Sequence, residues 1–255
     1  PFSAAQALHD ADGISEALAK GQSGLQLYRR QGDAPDELRL KIYHAGDPLP
    51  LSDALPMLEN MGLKVIEEIP FEITLKDAGT IWIHDFGLVR RNAGAELKKQ
   101  DFTKLKELFE ETLSRVQAGE VEDDGFNQLV LAEALGWRDV ILVRAYSKYL
   151  RQARAPFSQN YMVETFIKNA GFARMLVDLF AAKFDTGDRK NAESREVKLK
   201  VQYEDALEQV SNLDEDRILR RFLNLALASL RTNHYQKMPD GGPKPYLSIK
   251  LASDK

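Results

Sequence analysis

The chain has 255 residues, 29% charged and 44% hydrophobic, with a net charge of −4, the make-up of an ordinary globular protein of about one to three domains. The acidic balance argues against non-specific nucleic-acid binding, which needs a basic footprint. The absence of cysteine excludes disulfides, thiol chemistry and Cys-ligated metals and fits a cytoplasmic protein, and no apolar run approaches the ~20 residues that span a bilayer.

The chain opens at Pro1 with no basic-then-apolar leader, so it reads as an excised piece of a longer polypeptide. Residues 3–20 predict a helix, stopped by Gly21 and weakened in the middle by Gly13. Two short alternating runs come next at 24–30 and 38–45, with Leu25 and Leu27 sharing one face and Leu38, Leu40 and Ile42 another. The Gly/Pro/Asp-rich residues 31–36 between them predict a hairpin. After the turn at 46–50, Ser52 is expected to cap a short helix over 53–61, closed by Gly62. Residues 64–75 predict a strand with Val65, Ile69, Phe71 and Ile73 on one face. Residues 79–89 predict another, with Ile81 and Ile83 opposite Trp82, His84 and Phe86. Asp101 is expected to cap an amphipathic helix over 102–118, stopped by Gly119.

This order is α-β-β-α-β-β-α. Setting the leading helix aside and moving the first strand to the end gives β-α-β-β-α-β, the ferredoxin-like order, in which the last strand lies antiparallel beside the first. The predicted hairpin supplies that pairing. Residues 1–120 therefore predict an α+β, permuted ferredoxin-like sandwich of the ACT type, an amino-acid-binding regulatory module.

Helices alone are expected over residues 121–210: 126–135 ending at Gly136, 137–154, 159–170 capped by Ser158, 172–184, and a highly charged, exposed helix over 193–210. Residues 211–236 carry the longest periodic pattern. Ser211 or Asn212 can cap it, and Asp214, Glu215 and Asp216 fill its first turn, where the helix dipole favours negative charge. Two adjacent apolar stripes, one through Ile218, Phe222 and Leu225 and one through Leu219, Leu223, Leu227 and Leu230, predict burial on more than one side. After the Pro/Gly break at 239–245, residues 246–251 predict a strand.

Three stretches carry a resemblance. The run Leu213-Asp-Glu-Asp-Arg-Ile-Leu-Arg-Arg-Phe-Leu-Asn224, continued by Leu230-Arg-Thr-Asn-His-Tyr-Gln236 and Lys244-Pro-Tyr-Leu-Ser-Ile-Lys-Leu251, is similar to the large bacterial NAD-specific glutamate dehydrogenases. So are residues 48–66 and Arg151-Gln-Ala-Arg-Ala-Pro-Phe-Ser-Gln-Asn-Tyr161. The resemblance implies an ACT-like domain (1–120), a helical connector (121–210) and the beginning of a catalytic domain (211–255). It implies a cytoplasmic parent enzyme, a homo-oligomer, that oxidatively deaminates L-glutamate with NAD. The partners of this stretch would be the N-terminal and catalytic regions of the same polypeptide, with no nucleic acid and no membrane. The glycine-rich lysine motif and the Rossmann domain of that family lie further along, and no G-x-G-x-x-G occurs in this chain. No catalytic, NAD-binding or metal-binding residue is therefore assigned.

Within the ACT-like part, His44, Asp47 and Ser52 are the candidate effector-binding residues, because they flank a helix N-terminus whose free N–H groups suit a carboxylate. The opposing reading is an ordinary capped turn. Trp82, His84 and Phe86 alternate on one face as a base-stacking platform would, but burial against a neighbouring element is favoured. Arg144, Lys148, Arg151 and Arg154 recur at helical spacing and read as a solvated face rather than a docking surface. His9 and His234 lack a second ligand at metal spacing.

Overall fold

The computed structural model describes residues 4–20, 23–76, 79–91, 102–187 and 191–252. Two compact units result, residues 1–137 and 138–255.

In the first unit, helix α1 (Ala4–Lys20) precedes strands β1 (Gly24–Tyr28) and β2 (Glu37–Ala45), helix α2 (Leu51–Asn60), strands β3 (Leu63–Leu75) and β4 (Gly79–Arg90), and helix α3 (Phe102–Gln117). The four strands form one antiparallel sheet in the order β1-β2-β4-β3. This is the order of a ferredoxin-like sheet after its last strand is moved to the front, as the sequence predicts. Leu27 lies opposite Leu40, and Leu40 opposite Phe86. These residues are buried on the face that receives α2 through Ala54 and Leu58 and α3 through Leu105, Phe109 and Leu113. Alternation sends Tyr43, Ile81 and Ile83 to the other face, where Ala17 and Ile14 of α1 cover them.

Gly13 has a packing role there. A Cβ at Gly13 would overlap the Tyr43 ring, and one at Gly24 would meet the Gly13 carbonyl oxygen at 2.5 Å. The residue that costs helix propensity is thus the one that lets α1 approach the sheet.

The predicted face of β3 is corrected by a bulge. Val65 pairs with Leu88 and Glu67 with Gly87, so Ile66 is extra and the alternation flips. Val65 shares the α2/α3 face, whereas Phe71 and Ile73 pack with Ile81 and Ile83. Ser52 is not the cap of α2. Pro50 occupies that position without a side-chain hydrogen bond, and the helix begins at Leu51. The predicted Asp101 cap lies outside the described residues. Residues Gly125–Gln128 form a 3-10 turn that leads into the short helix α4 (Leu129–Glu133). Ala134, in the left-handed region at φ 49°, ends it ahead of the expected Gly136.

The second unit holds α5 (Trp137–Gln152) from Arg138 onward, α6 (Gln159–Lys168), α7 (Gly171–Phe184), α8 (Ala192–Leu207), α9 (Leu213–Ala228) and the antiparallel pair β5 (Ser229–Thr232) and β6 (Ile249–Leu251). The Asn212 side chain caps α9 by accepting from the amides of Asp214 (2.9 Å) and Glu215 (3.1 Å). Phe222 packs edge-to-face on Phe166 and Tyr146, at ring separations of 4.6 and 6.5 Å. The helix ends at Ala228, eight residues short of the expected 236. Lys183 Nζ donates to the Leu227 carbonyl (2.7 Å). Tyr146 Oη lies 2.8 Å from Ser229 Oγ, which itself donates to Leu225 O (2.8 Å). The last carbonyls of α9 are thus satisfied from outside the helix, and the next residues pair with β6. Leu230, expected on a buried stripe, is about half exposed on β5.

Candidate effector site

The turn from β2 into α2 carries the three candidate residues. Gly46 takes φ +89° and its N–H donates to Thr80 O (2.9 Å), a bend that glycine makes without strain. His44 Nδ1 lies 2.8 Å from the Asp47 carbonyl oxygen. Because a carbonyl only accepts, that nitrogen carries the proton. The structure therefore joins His44 to the Asp47 main chain, not to its carboxylate. Ser52 stands apart in the first turn of α2, exposed, with its hydroxyl donating to Asp53 Oδ1 (3.2 Å). A cavity of about 410 Å³ opens at His44 and is lined by Ala17, Ser23, Ser114, Gln117 and Ala118. Asp47 and Ser52 do not line it.

The turn is held from beneath by His84. The Leu49 N–H donates to His84 Nε2 (3.1 Å), so the ring proton sits on Nδ1, where it donates to Glu68 Oε1 (2.9 Å). His84 is buried, and its ring lies near-parallel to those of Trp82 and Phe86 at 6.3 and 6.2 Å. His84 and Phe86 are thus internal, while Trp82 at the end of the row is half-buried. The role of His84 in fixing Leu49 was visible in the sequence only as a histidine alternating with aromatics.

A second polar group crosses all four strands on the α1 side. Asp85 accepts from Tyr28 Oη (2.9 Å), Arg39 Nε (3.1 Å) and Arg30 Nη2 (3.3 Å), while Arg39 Nη1 donates to Glu67 (3.0 Å). Burial pulls the Arg39 guanidinium down, but its two carboxylates outweigh that and raise its pKa on balance. Burial, reinforced by Asp85, raises the Tyr28 phenol as well. Arg39, Lys41 and Tyr43, which alternate on this face, are all buried.

In the second unit the expected basic row divides. Arg144 is buried, whereas Lys148, Arg151 and Arg154 are exposed, the last beyond the end of α5 at φ 59°. The acidic first turn of α9 is engaged locally: Asp216 with Arg220 (2.9 Å), Asp214 with Arg217 (3.3 Å), and Glu215 with Lys168 (2.7 Å) and Asn169 (3.1 Å). Burial acts to raise the Glu215 carboxyl, and those two donors more than reverse it. His234 is buried beside Phe180 and Tyr235, at ring separations of 5.6 and 4.8 Å. Burial, then the Arg138 guanidinium, lowers its pKa to about 4. The side chain of His9 lies outside the described residues. Among the described residues no three His, Asp or Glu side chains gather as a metal site, and no helix is long and apolar enough to cross a membrane.

Three family models match in series: the ACT3 domain of glutamate dehydrogenase over residues 22–102, its helical motif 3 over 121–186, and the catalytic domain of bacterial NAD-glutamate dehydrogenase over 202–255. The NAD-specific glutamate dehydrogenase of Halomonas elongata is 40% identical over 256 aligned positions, which cover 98% of this chain and 15% of that protein. The chain belongs to the bacterial NAD-specific glutamate dehydrogenases. Other members include those of Pseudomonas aeruginosa, 39% identical over 89% of this chain, and Mycobacterium tuberculosis, 34% identical over 90%; each alignment covers 14% of the relative. The chain thus spans about one-seventh of the length of the glutamate dehydrogenases it matches. The β2–α2 turn falls within the ACT3 match, and α9 with its hairpin within the catalytic-domain match.

Proposed function

We propose that these 255 residues are a regulatory and structural part of an NAD-dependent glutamate dehydrogenase and carry no catalytic site of their own. The whole polypeptide would convert L-glutamate, water and NAD+ to 2-oxoglutarate, ammonium, NADH and a proton. In this reading residues 1–120 form the regulatory module, 121–210 a connector, and 211–255 the opening of the catalytic domain, within a cytoplasmic homo-oligomer. The observation that carries it is the serial match to three glutamate dehydrogenase regions, in a sequence without a G-x-G-x-x-G stretch. The purified chain is expected to form no NADH from glutamate and NAD under conditions in which the full-length protein does. NADH formation by the chain alone would overturn the reading.

A second reading is that the β2–α2 turn senses an amino acid through His44, Asp47 and Ser52. The cavity at His44 supports the part of it that rests on His44, since Asp47 and Ser52 do not line that cavity. A ligand that binds the folded state raises the melting temperature as its concentration exceeds Kd. A thermal-shift screen of the common amino acids tests this, and a flat response to all of them at millimolar concentration counts against it.

A further inference from the structure

We propose that the cavity at His44 selects an amino acid with an uncharged carboxamide side chain and rejects its carboxylate counterpart. The inference rests on the reading that this region senses an amino acid, and it names the class of ligand. At about 410 Å³ the cavity has the size of a small-molecule site. Among the described residues its lining includes no Asp, Glu, Lys or Arg. Its polar side chains are those of Ser23, His44, Ser114 and Gln117. The side chains of Ser23, Ser114 and Gln117, all half-buried, have no hydrogen-bond partner within the chain among the described residues. His44 commits Nδ1 to the Asp47 carbonyl oxygen, which leaves Nε2 as an acceptor in the neutral ring.

A carboxamide has two N–H donors and one carbonyl acceptor. It can therefore meet the donors and the acceptors of this lining at once. A carboxylate only accepts, carries a full charge and finds no cationic side chain in the lining; taking such a charge out of water without a partner is costly. Two helix ends act in the same direction. Ala17 lies in the last turn of α1, Ser114 and Gln117 lie in the last turn of α3, and Ala118 follows directly. A helix C-terminus carries partial negative charge, which disfavours an anion beside it. The carboxamide enters between these groups, and the α-ammonium and α-carboxylate of the ligand stay at the open mouth, in water. This is not the carboxylate seat expected at the start of α2, because neither Asp47 nor Ser52 lines the cavity.

L-Glutamine and L-glutamate differ in this one group. Titration of the full chain with each, followed by NMR at the His44 ring resonances, tests the proposal at an ionic strength of about 0.15 M, where long-range repulsion by the acidic chain is screened. Glutamine is expected to saturate with Kd at or below about 1 mM, and glutamate to bind at least about tenfold more weakly. Ser114→Ala and Gln117→Leu should each weaken glutamine binding several-fold, with an unchanged far-UV circular dichroism spectrum. Gln152→Leu, at the exposed end of α5, should leave it unaltered. Equal or tighter binding of glutamate overturns the proposal and leaves amino-acid sensing standing. Full affinity in both cavity variants overturns it, as does an equal loss in Gln152→Leu. Saturation by neither probe overturns it too, and the thermal-shift screen with the other amino acids then decides separately whether the region senses any of them.

Discussion

Burial of His234 against Phe180 and Tyr235 leaves its imidazole neutral well below the usual range, with a pKa of about 4. In the unfolded chain the same ring titrates near 6.5. Between these values the unfolded state binds the extra proton, so stability is fully present above about pH 6.5 and is lost as pH falls towards 4. A shift of this size corresponds to about 3 kcal/mol at most. Urea unfolding followed by circular dichroism should show a steeper loss between pH 7 and 4.5 in the native chain than in His234→Phe, which cannot titrate. Equal losses would mean that carboxylates elsewhere set the acid response. A single sequence says little about this residue. His234 was recognisable as a histidine without a metal partner, but its burial depends on α7, which lies some fifty residues earlier. Gly13 is a similar case. Its cost to helix propensity is legible locally, while its reason, the Tyr43 ring, belongs to a strand thirty residues on.

Elements with strong periodicity and clear stop signals were legible in the sequence. Strands β1 to β4 and β6, with α2, α3 and α5 to α8, begin and end within a few residues of expectation because Gly, Ser and Asn punctuate them. The failures share one physical cause, a contact made outside the element. The helical pattern of α9 runs on through residue 236, but Lys183 and Tyr146 terminate the helix at Ala228, and β6 pairs with the residues just beyond it. The alternation of β3 predicts Val65 on the wrong face because a bulge is set by the partner strand and leaves no mark in its own spacing. The candidate site divides in the same way. The turn and its glycine could be read from the sequence. The anchoring of Leu49 by His84, and the cavity on the far side of His44, arise from pairings that one sequence does not display.

At the scale of the molecule, the strand order alters how the first unit can fold. In the unpermuted order the outer strand beside β2 would come last and have to return across the whole domain. Here it comes first and meets β2 through the loop at 29–36. Of the three strand pairings, β1 with β2 and β3 with β4 are neighbours along the chain, and only β2 with β4 closes a long loop. Loop closure costs entropy before contacts repay it, and rates fall as contacts become more distant in sequence. Transplanting β1 to a position after α3 should therefore slow refolding, read through Trp82 on β4, more than it changes equilibrium stability. Refolding as fast as that of the native order would show that the β2–β4 closure alone limits the rate. The shuffled order also suits vectorial synthesis, because three of the four strands and the first hairpin are complete before the chain reaches the strand that locks them together.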